Sequence, residues 1–345
     1  MSRIHLLHKT VEDAANEALE HIHKERSGEQ YGLYTSIVPL NIAMGKYFRF
    51  ANVNLLAGLS GSGKSYLLNS INNDFLDYGV GGINEQAPFI PIIFNFCFEM
   101  SAANEVLRSI ANDMGVSYAY LLSSEYDKIS KTYNRLSDEE LLRVEEYLKY
   151  YKRKSMLFFE VPSNLQVIYN TVEHYVEEYT KVTRSDNKPF KFIVNIDHTL
   201  LIETLDESSA VDLMANVGKI AIRIRKTFGA LVNLVGQLNN NIEDIRRITN
   251  NLLHYPIKSD IYAQGQLYNA CDSVFVVHQP AQLKITKYGS TEKDTTNLMH
   301  LLKLKSRHGS TGNIWLKNAL DIGKIVEMPK SIETAETEDT NLKHI

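Results

Sequence analysis

Apolar positions along this chain change their period from one segment to the next, and each change marks an element. Residues 9–26 carry Val11, Ala14, Ala15, Ala18, Leu19 and Ile22 at helical spacing, with acidic residues early and His23, Lys24 and Arg26 late, as a helix dipole favours. One amphipathic helix is predicted there, followed by the polar stretch HKERSGEQYG as a linker. From Val53 the order becomes strand, glycine-rich turn and helix: VNLLAG, LSGSGKS, YLLNSINNDF. The apolar run FIPIIFNFCFE, ending at Glu99, is a second strand, with a helix expected over about Ser101–Met114.

Residues 115–190 are richer in charge and tyrosine. LSDEELLRVEEYLKYYKRK reads as a helix, SMLFFE as a short strand, and about Leu165–Thr183 as a second helix, closed by the loop TRSDNKP. Then come the strand KFIVNID, a long helix over about Ser208–Phe228, and the strand ALVNLVGQ. Near the end SVFVVHQ, QLKITKY and MHLLKLKS read as strands, and GSTGNIWLKN as a turn and a last strand, which predicts continuation of the sheet plus a hairpin. Residues after about Met328, rich in Glu, Thr and Lys, are expected to form a mobile tail. Strands and helices alternating on this scale predict an α/β fold, a mostly parallel twisted sheet with helices on both faces.

Composition adds exclusions. At 345 residues with 44% apolar and 23% charged positions, the chain has the makeup of a globular protein. No run approaches the roughly 20 apolar residues that span a bilayer, and MSRIHLLHKT lacks the apolar core of a secretion signal. A cytoplasmic protein with no membrane partner is expected. The two cysteines, Cys97 and Cys271, both sit in apolar stretches, which excludes a disulfide framework or a cysteine-rich zinc site. A net charge of -4 gives no general attraction to nucleic acid, so any such binding needs a local basic surface.

The chemistry concentrates at the first glycine-rich turn. Gly58, Gly63, Lys64 and Ser65 meet the spacing G-x-x-x-x-G-K-[ST], and the turn lies between a predicted strand and a predicted helix. Glycines let backbone amides turn inward around phosphates, Lys64 places a charge on the outer ones, Ser65 offers a hydroxyl to Mg²⁺, and the helix N-terminus faces the anion. ATP with Mg²⁺ is the implied cofactor pair, contacted by Gly58, Ser60, Gly61, Ser62, Gly63, Lys64, Ser65 and Tyr66. Hydrolysis needs more: a carboxylate on the metal side and a group that activates water. Asp197 ends FIVNI and suits the first role; Glu99 ends FNFCF and suits the second. Gln237 ends ALVNLVG, where an amide can sense the terminal phosphate. Each alone also has a plainer reading: a helix cap or solvated strand end for Asp197 and Glu99, a polar strand end for Gln237, and only for Gln237 is that reading as good as the functional one. Three polar tips on three core strands beside one phosphate loop favour a site, because ligands gather where parallel strands end.

Taken together, GLSGSGKS, FCFEMS, NIDHTLLI, GQLNNNIEDIRR and KLKSRHGSTG resemble, in order, the motifs of the RecA-fold ATPase domain of DnaB-like hexameric replicative helicases. The resemblance runs from about Tyr34 to Leu316 and divides the chain into an N-terminal helix and linker (1–33), a RecA-like ATPase domain (34–328) and a tail (329–345). It implies that Glu99 is the catalytic carboxylate, Asp197 the Mg²⁺-side carboxylate and Gln237 the phosphate sensor. It further implies that Lys305 and Arg307 form a basic pair acting in the neighbouring subunit's site, an arginine finger supplied in trans within a homo-oligomer, most often a hexamer. Without the family these two read as solvated charges on one face of a late strand. Also implied are docking of the front helix on an adjacent subunit, single-stranded DNA as the track, a primase or loader as partner, and the cytoplasm of a bacterial or phage-infected cell as the setting.

The candidate DNA segment departs from the family. Tyr262 stands in SDIYAQG where relatives carry an arginine, and Asn240 stands where a basic residue is common. Arg246, Arg247 and Lys258 are the nearby cations expected to replace the lost charge, though they read equally as a solvated basic turn, with Tyr262, Gln264 and Gly265 completing the segment. A helicase motor in DNA replication is the first reading. The second is a RecA-like ATPase that assembles on DNA or protein without unwinding. A small-molecule kinase is a third, and explains neither Glu99 nor KSRHG.

Overall fold

In the computed structural model, which describes residues 8–204 and 209–328, the expected alternation becomes a sheet of nine strands. We number its strands, and the helices of seven or more residues, in chain order. β1 (Val53–Gly58), β2 (Ile90–Cys97), β3 (Met156–Phe159), β4 (Phe190–Asp197), β5 (Leu231–Gln237) and β6 (Ser273–His278) are mutually parallel. β7 (Leu298–Ser306), β8 (Gly312–Ala319) and β9 (Lys324–Glu327) extend the sheet antiparallel. The order across the sheet is β9-β8-β7-β6-β1-β5-β4-β2-β3. β1 leads to β2, three places away, whereas β5 leads to β6 on β1's other side. The chain thus reverses direction around β1, and a crevice opens at that strand's C-terminal end.

The helices are α1 (Val11–Ser27), α2 (Lys64–Phe75), α3 (Ala102–Met114), α4 (Asp138–Tyr151), α5 (Leu165–Thr180), α6 (Ala210–Phe228) and α7 (Gln264–Ala270). The central strands are apolar on both faces because both are covered. Val53, Leu55 and Ala57 of β1 pack with Phe94, Val194 and Val232 beneath α5 and α6. Ile93, Ile193, Leu231 and Phe275 form the opposite face with Leu67, Ile71 and Phe75 of α2. Both cysteines are free and buried, and among the described residues no helix is long and apolar enough to cross a membrane.

α1 begins with a capping box between Thr10 and Asp13 and ends on Gly28 in the left-handed region. None of its residues is buried; Val11, Leu19 and Ile22 all face solvent. Its last turn is tied to the body by Glu25, which accepts from Arg49 at 2.6 Å and from the Tyr47 hydroxyl at 2.5 Å.

Three expectations are corrected. QLKITKY is not a strand of the sheet: Pro280–Leu283 forms one helical turn, Lys284 turns left-handed, and only Lys287–Tyr288 pairs, with Lys293–Asp294. Pro280 has no N–H for a ladder, and Leu283, Ile285 and Tyr288 pack into a separate cluster with Trp315. Strand β9 adds an edge that the sequence pattern does not predict. The helix expected to Thr183 ends at Thr180. The tail expected at 329–345 lies outside the described residues, as does Ser208, the expected start of α6.

A bulge in β7 splits two of its lysines between the faces of the sheet. Val274 pairs with Lys305 but Phe275 with Lys303, leaving Leu304 as the extra residue. Lys303 is sent to the α2 face, buried over the Phe275 ring and donating to the Ala43 carbonyl at 2.5 Å. Lys305 is sent to the other face, against Tyr268.

Candidate nucleotide site

The crevice at the end of β1 holds the phosphate loop. Gly58 has no room for a side chain: a Cβ there would lie 2.5 Å from the Ser62 hydroxyl and 2.6 Å from the Val277 carbonyl. Gly61 and Gly63 have φ of 72° and 89°, which L side chains rarely adopt. Gly63 caps α2, and Lys64 and Ser65 form its first turn. Lys64 is buried and donates to the Leu59 carbonyl across the loop at 2.7 Å. Burial depresses its pKa, while the nearby Asp197 and Glu99 charges raise it. The Tyr66 hydroxyl donates to the Gly323 carbonyl, so the side chain leans on the β8–β9 turn rather than into the loop. Only its backbone remains available to phosphate.

The three polar tips come together as expected. β5, β4 and β2 are successive neighbours beyond β1, and they end in Gln237, Asp197 and, two residues past its strand, Glu99. Gln237 lies in register with Gly58, and its carbonyl accepts from Tyr262 N–H at 3.0 Å, joining the phosphate loop to the segment that carries Tyr262. Asp197 is 8% exposed, and its Oδ1 has no protein partner. Burial pushes its carboxyl pKa up, and a hydrogen bond from the Ser65 hydroxyl pulls it down. The Ser62 hydroxyl is likewise buried without a partner. Buried polar atoms left unpaired inside a crevice mark a place where another group completes the bonding. A hydroxyl beside an orphaned carboxylate oxygen fits Mg²⁺, which keeps several waters and takes substrate phosphates as ligands. Among the described residues no cluster of three His, Cys, Asp or Glu offers a metal cage. The donor set therefore suits a metal that arrives with nucleotide.

Two neighbours escape sequence reasoning. His198 is buried, with Nε2 3.8 Å from the Glu99 carboxylate, and it follows Asp197 directly in NIDH, where proximity was the available signal. Gln279, at the tip of β6, donates to the Ser62 carbonyl at 2.9 Å and accepts from Asn318 at 2.9 Å, which braces the loop from the other side. It obeys the same strand-tip rule as Gln237.

Lys305 and Arg307 lie at the opposite end of the sheet. Ser306 pairs with Ser273, which aligns with Asn54, whereas Gly58 aligns with Val277. Four residues of strand, about 13 Å, separate the two levels. The Lys305 ammonium donates to the Tyr268 and Asn269 carbonyls at 2.8 and 3.1 Å. Arg307 donates to Asp272 at 2.9 Å and to the Asn269 carbonyl at 3.2 Å, with its side chain 44% exposed. Asp272 is buried and also receives Arg225 and the Val53 N–H.

The candidate DNA residues divide. Arg246 is 84% exposed and pairs with Asp244 at 2.7 Å. Arg247 corrects the expectation, because its guanidinium turns inward to Asp260 (2.6 Å), the Leu253 carbonyl (3.1 Å) and the Tyr255 carbonyl (2.8 Å). It braces the segment instead of offering charge to a phosphate. The Lys258 ammonium lies 4.7 Å over the Tyr268 ring. Tyr262 is exposed, as is Gly265 in the first turn of α7, which starts at Gln264.

A phosphate loop on β1, with carboxylates and an amide on the next three strand ends, defines a P-loop ATPase of the RecA-like class. The DnaB-like helicase C terminal domain model matches residues 32–326, and the chain belongs to that family, whose members are ATP-hydrolysing DNA helicases of replication. In fold it is similar to a solved ATPase domain of another DnaB-like helicase, at 16% identity and TM-score 0.69, covering 91% of this chain and 98% of that one. It is also similar to a DnaB-like replicative helicase studied with primase, again at 16% and 0.69, covering 94% of this chain and 68% of that one. No curated protein matches.

Proposed function

We propose that the chain is one subunit of a ring motor, in which each nucleotide site is completed by the next subunit and hydrolysis drives movement along single-stranded DNA. The observation that carries this reading is the separation of the two ends of the sheet. Lys305 and Arg307 cannot reach their own phosphate loop, and in a head-to-tail ring that end faces a neighbour's loop. Glu99 activates water, Gln237 reads the terminal phosphate, and Lys64 holds the outer phosphates. Ser65 and Asp197 would hold Mg²⁺, which when bound neutralises phosphate charge. The exposed apolar stripe of α1, on a helix tied to the body through Glu25 in its last turn, supports docking on an adjacent subunit. A primase or loader as partner, and a bacterial or phage-infected cell as setting, go with this reading.

The assembly and its work are tested together by mass measurement with an ATP analogue and a single-stranded oligonucleotide, followed by unwinding of a forked duplex. A monomer under all conditions overturns the ring. The inward turn of Arg247 favours a second reading, an ATPase that assembles on DNA without unwinding it, because the segment offers few cations to phosphate. DNA-stimulated hydrolysis without strand displacement selects that alternative.

A further inference from the structure

The phosphate-loop helix carries a polar stripe that the nucleotide chemistry does not use. After Ser65, Asn69, Asn72 and Asn73 fall four, seven and eight residues along α2, on one face of the helix. Asn69 and Asn72 are buried at 4% and 2% exposure, where an amide must find partners or destabilise the fold. The Asn72 side-chain carbonyl accepts from Asn195 of β4 at 2.8 Å, two residues before Asp197. Asn69 reaches instead to α3, the helix that begins three residues after Glu99.

That contact is dense. The Asn69 amide donates to the Glu105 carboxylate at 2.9 Å and to the Glu105 carbonyl at 3.1 Å, and its oxygen accepts from the Ser109 hydroxyl at 3.1 Å. Asn73 donates to Ser109 at 3.0 Å. Glu105 is 5% exposed, and its other carboxylate oxygen accepts from Arg108 at 3.2 Å. An isolated buried carboxylate is costly, and this one is retained with donors on both oxygens at the seam between two helices. α2 starts with Lys64 and Ser65; α3 follows closely on Glu99. Apolar packing alone lets two helices slide by fractions of an ångström, whereas directional bonds to both backbone and carboxylate fix their register.

We propose that Asn69 and Glu105 are a positioning pair, which sets the distance between Glu99 and the phosphates held by Lys64 and Ser65. Neither residue touches the reacting atoms. The proposal rests on Glu99 being the catalytic carboxylate, so the test separates the two claims.

Steady-state hydrolysis by the full chain is measured beside the Kd of a non-hydrolysable ATP analogue. Glu105→Ala is expected to lower kcat by about ten- to a hundredfold while shifting the analogue Kd by less than about threefold, since misplacement of an ångström costs that much in rate but little in binding. Glu105→Gln keeps an acceptor for Asn69 and is expected to recover most of kcat. Asn69→Leu, matched in size, is expected to reproduce the Glu105→Ala loss, and the double variant Asn69→Leu/Glu105→Leu, which removes both partners of the bond, serves where a single change fails to fold. Parallel losses in kcat and affinity, an unchanged kcat in Asn69→Leu, or a Gln variant as slow as the Ala one overturns the proposal. Glu99→Gln run alongside probes the premise. Parent-like turnover in that variant removes Glu99 from the chemistry whatever Glu105 does.

Discussion

The two ends of the central sheet handle charge in opposite ways. At the C-terminal ends of the parallel strands, Lys64 and Asp197 are buried, and Asp197 Oδ1 and the Ser62 hydroxyl lack protein partners. At the other end, Lys305 is half-buried on local carbonyls, and Arg307 is exposed, resting on a carbonyl and Asp272. The first arrangement is built to receive a ligand from solution. The second holds Arg307 half-exposed on the buried Asp272 and a backbone carbonyl. On the proposed ring reading, one chain carries a receiving half and a donating half of a single site.

Removing the donating half gives the largest expected effect. Arg307→Ala should lower ATP turnover by about a thousandfold or more, as loss of an arginine finger does. Mixing it with Lys64→Ala chains, inactive by themselves, should restore turnover at the hybrid interfaces; no recovery on mixing breaks the comparison. Glu99→Gln, on the receiving half, should cost about a hundredfold or more in kcat with nucleotide binding retained, which kinetics and analogue titration read separately. Gln279→Ala, which removes the brace on the Ser62 carbonyl, should weaken analogue binding by about tenfold, the worth of one hydrogen bond near a charge; unchanged affinity would show that the loop holds its shape unaided. Arg246→Ala should reduce the salt slope of single-strand affinity by about one, while Arg247→Ala should lower the melting temperature instead, because one cation faces solvent and the other faces Asp260. The smallest effect is expected of Glu25→Gln, about 1 kcal/mol or less by thermal unfolding, since its pairs with Arg49 and Lys46 are part-exposed.

The receiving half is the part most legible in the sequence. Parallel strands buried on both faces appear as long apolar runs, four of them carrying one buried asparagine each (Asn54, Asn95, Asn195, Asn233), so Asp197, Glu99 and Gln237 stand out as the points where the runs end. Gln279 stands at such a point too, but its meaning depends on β6 lying beside β1, a pairing of segments more than two hundred residues apart. The fate of Arg246 against Arg247 is hidden for the same reason: adjacent arginines look alike until Asp260 folds beneath one of them. QLKITKY misleads because its alternating residues imitate a strand, and the proline that forbids the ladder sits just before them. The asparagines of α2 look like ordinary helix positions, since nothing local says that their face is buried.

The extra residue in β7 has a consequence best put as parity. A strand repeats every two residues, so in a regular ladder Lys303 and Lys305 would share a side, both sealed in the core or both outside it. Leu304 shifts the count by one, and a single stretch of chain delivers one ammonium into the core over the Phe275 ring and the next to the opposite face against Tyr268. Deleting that leucine would put the two lysines on successive rungs of a straight ladder, still facing opposite sides, whereas a straight ladder that kept all three residues would force both lysines onto one side.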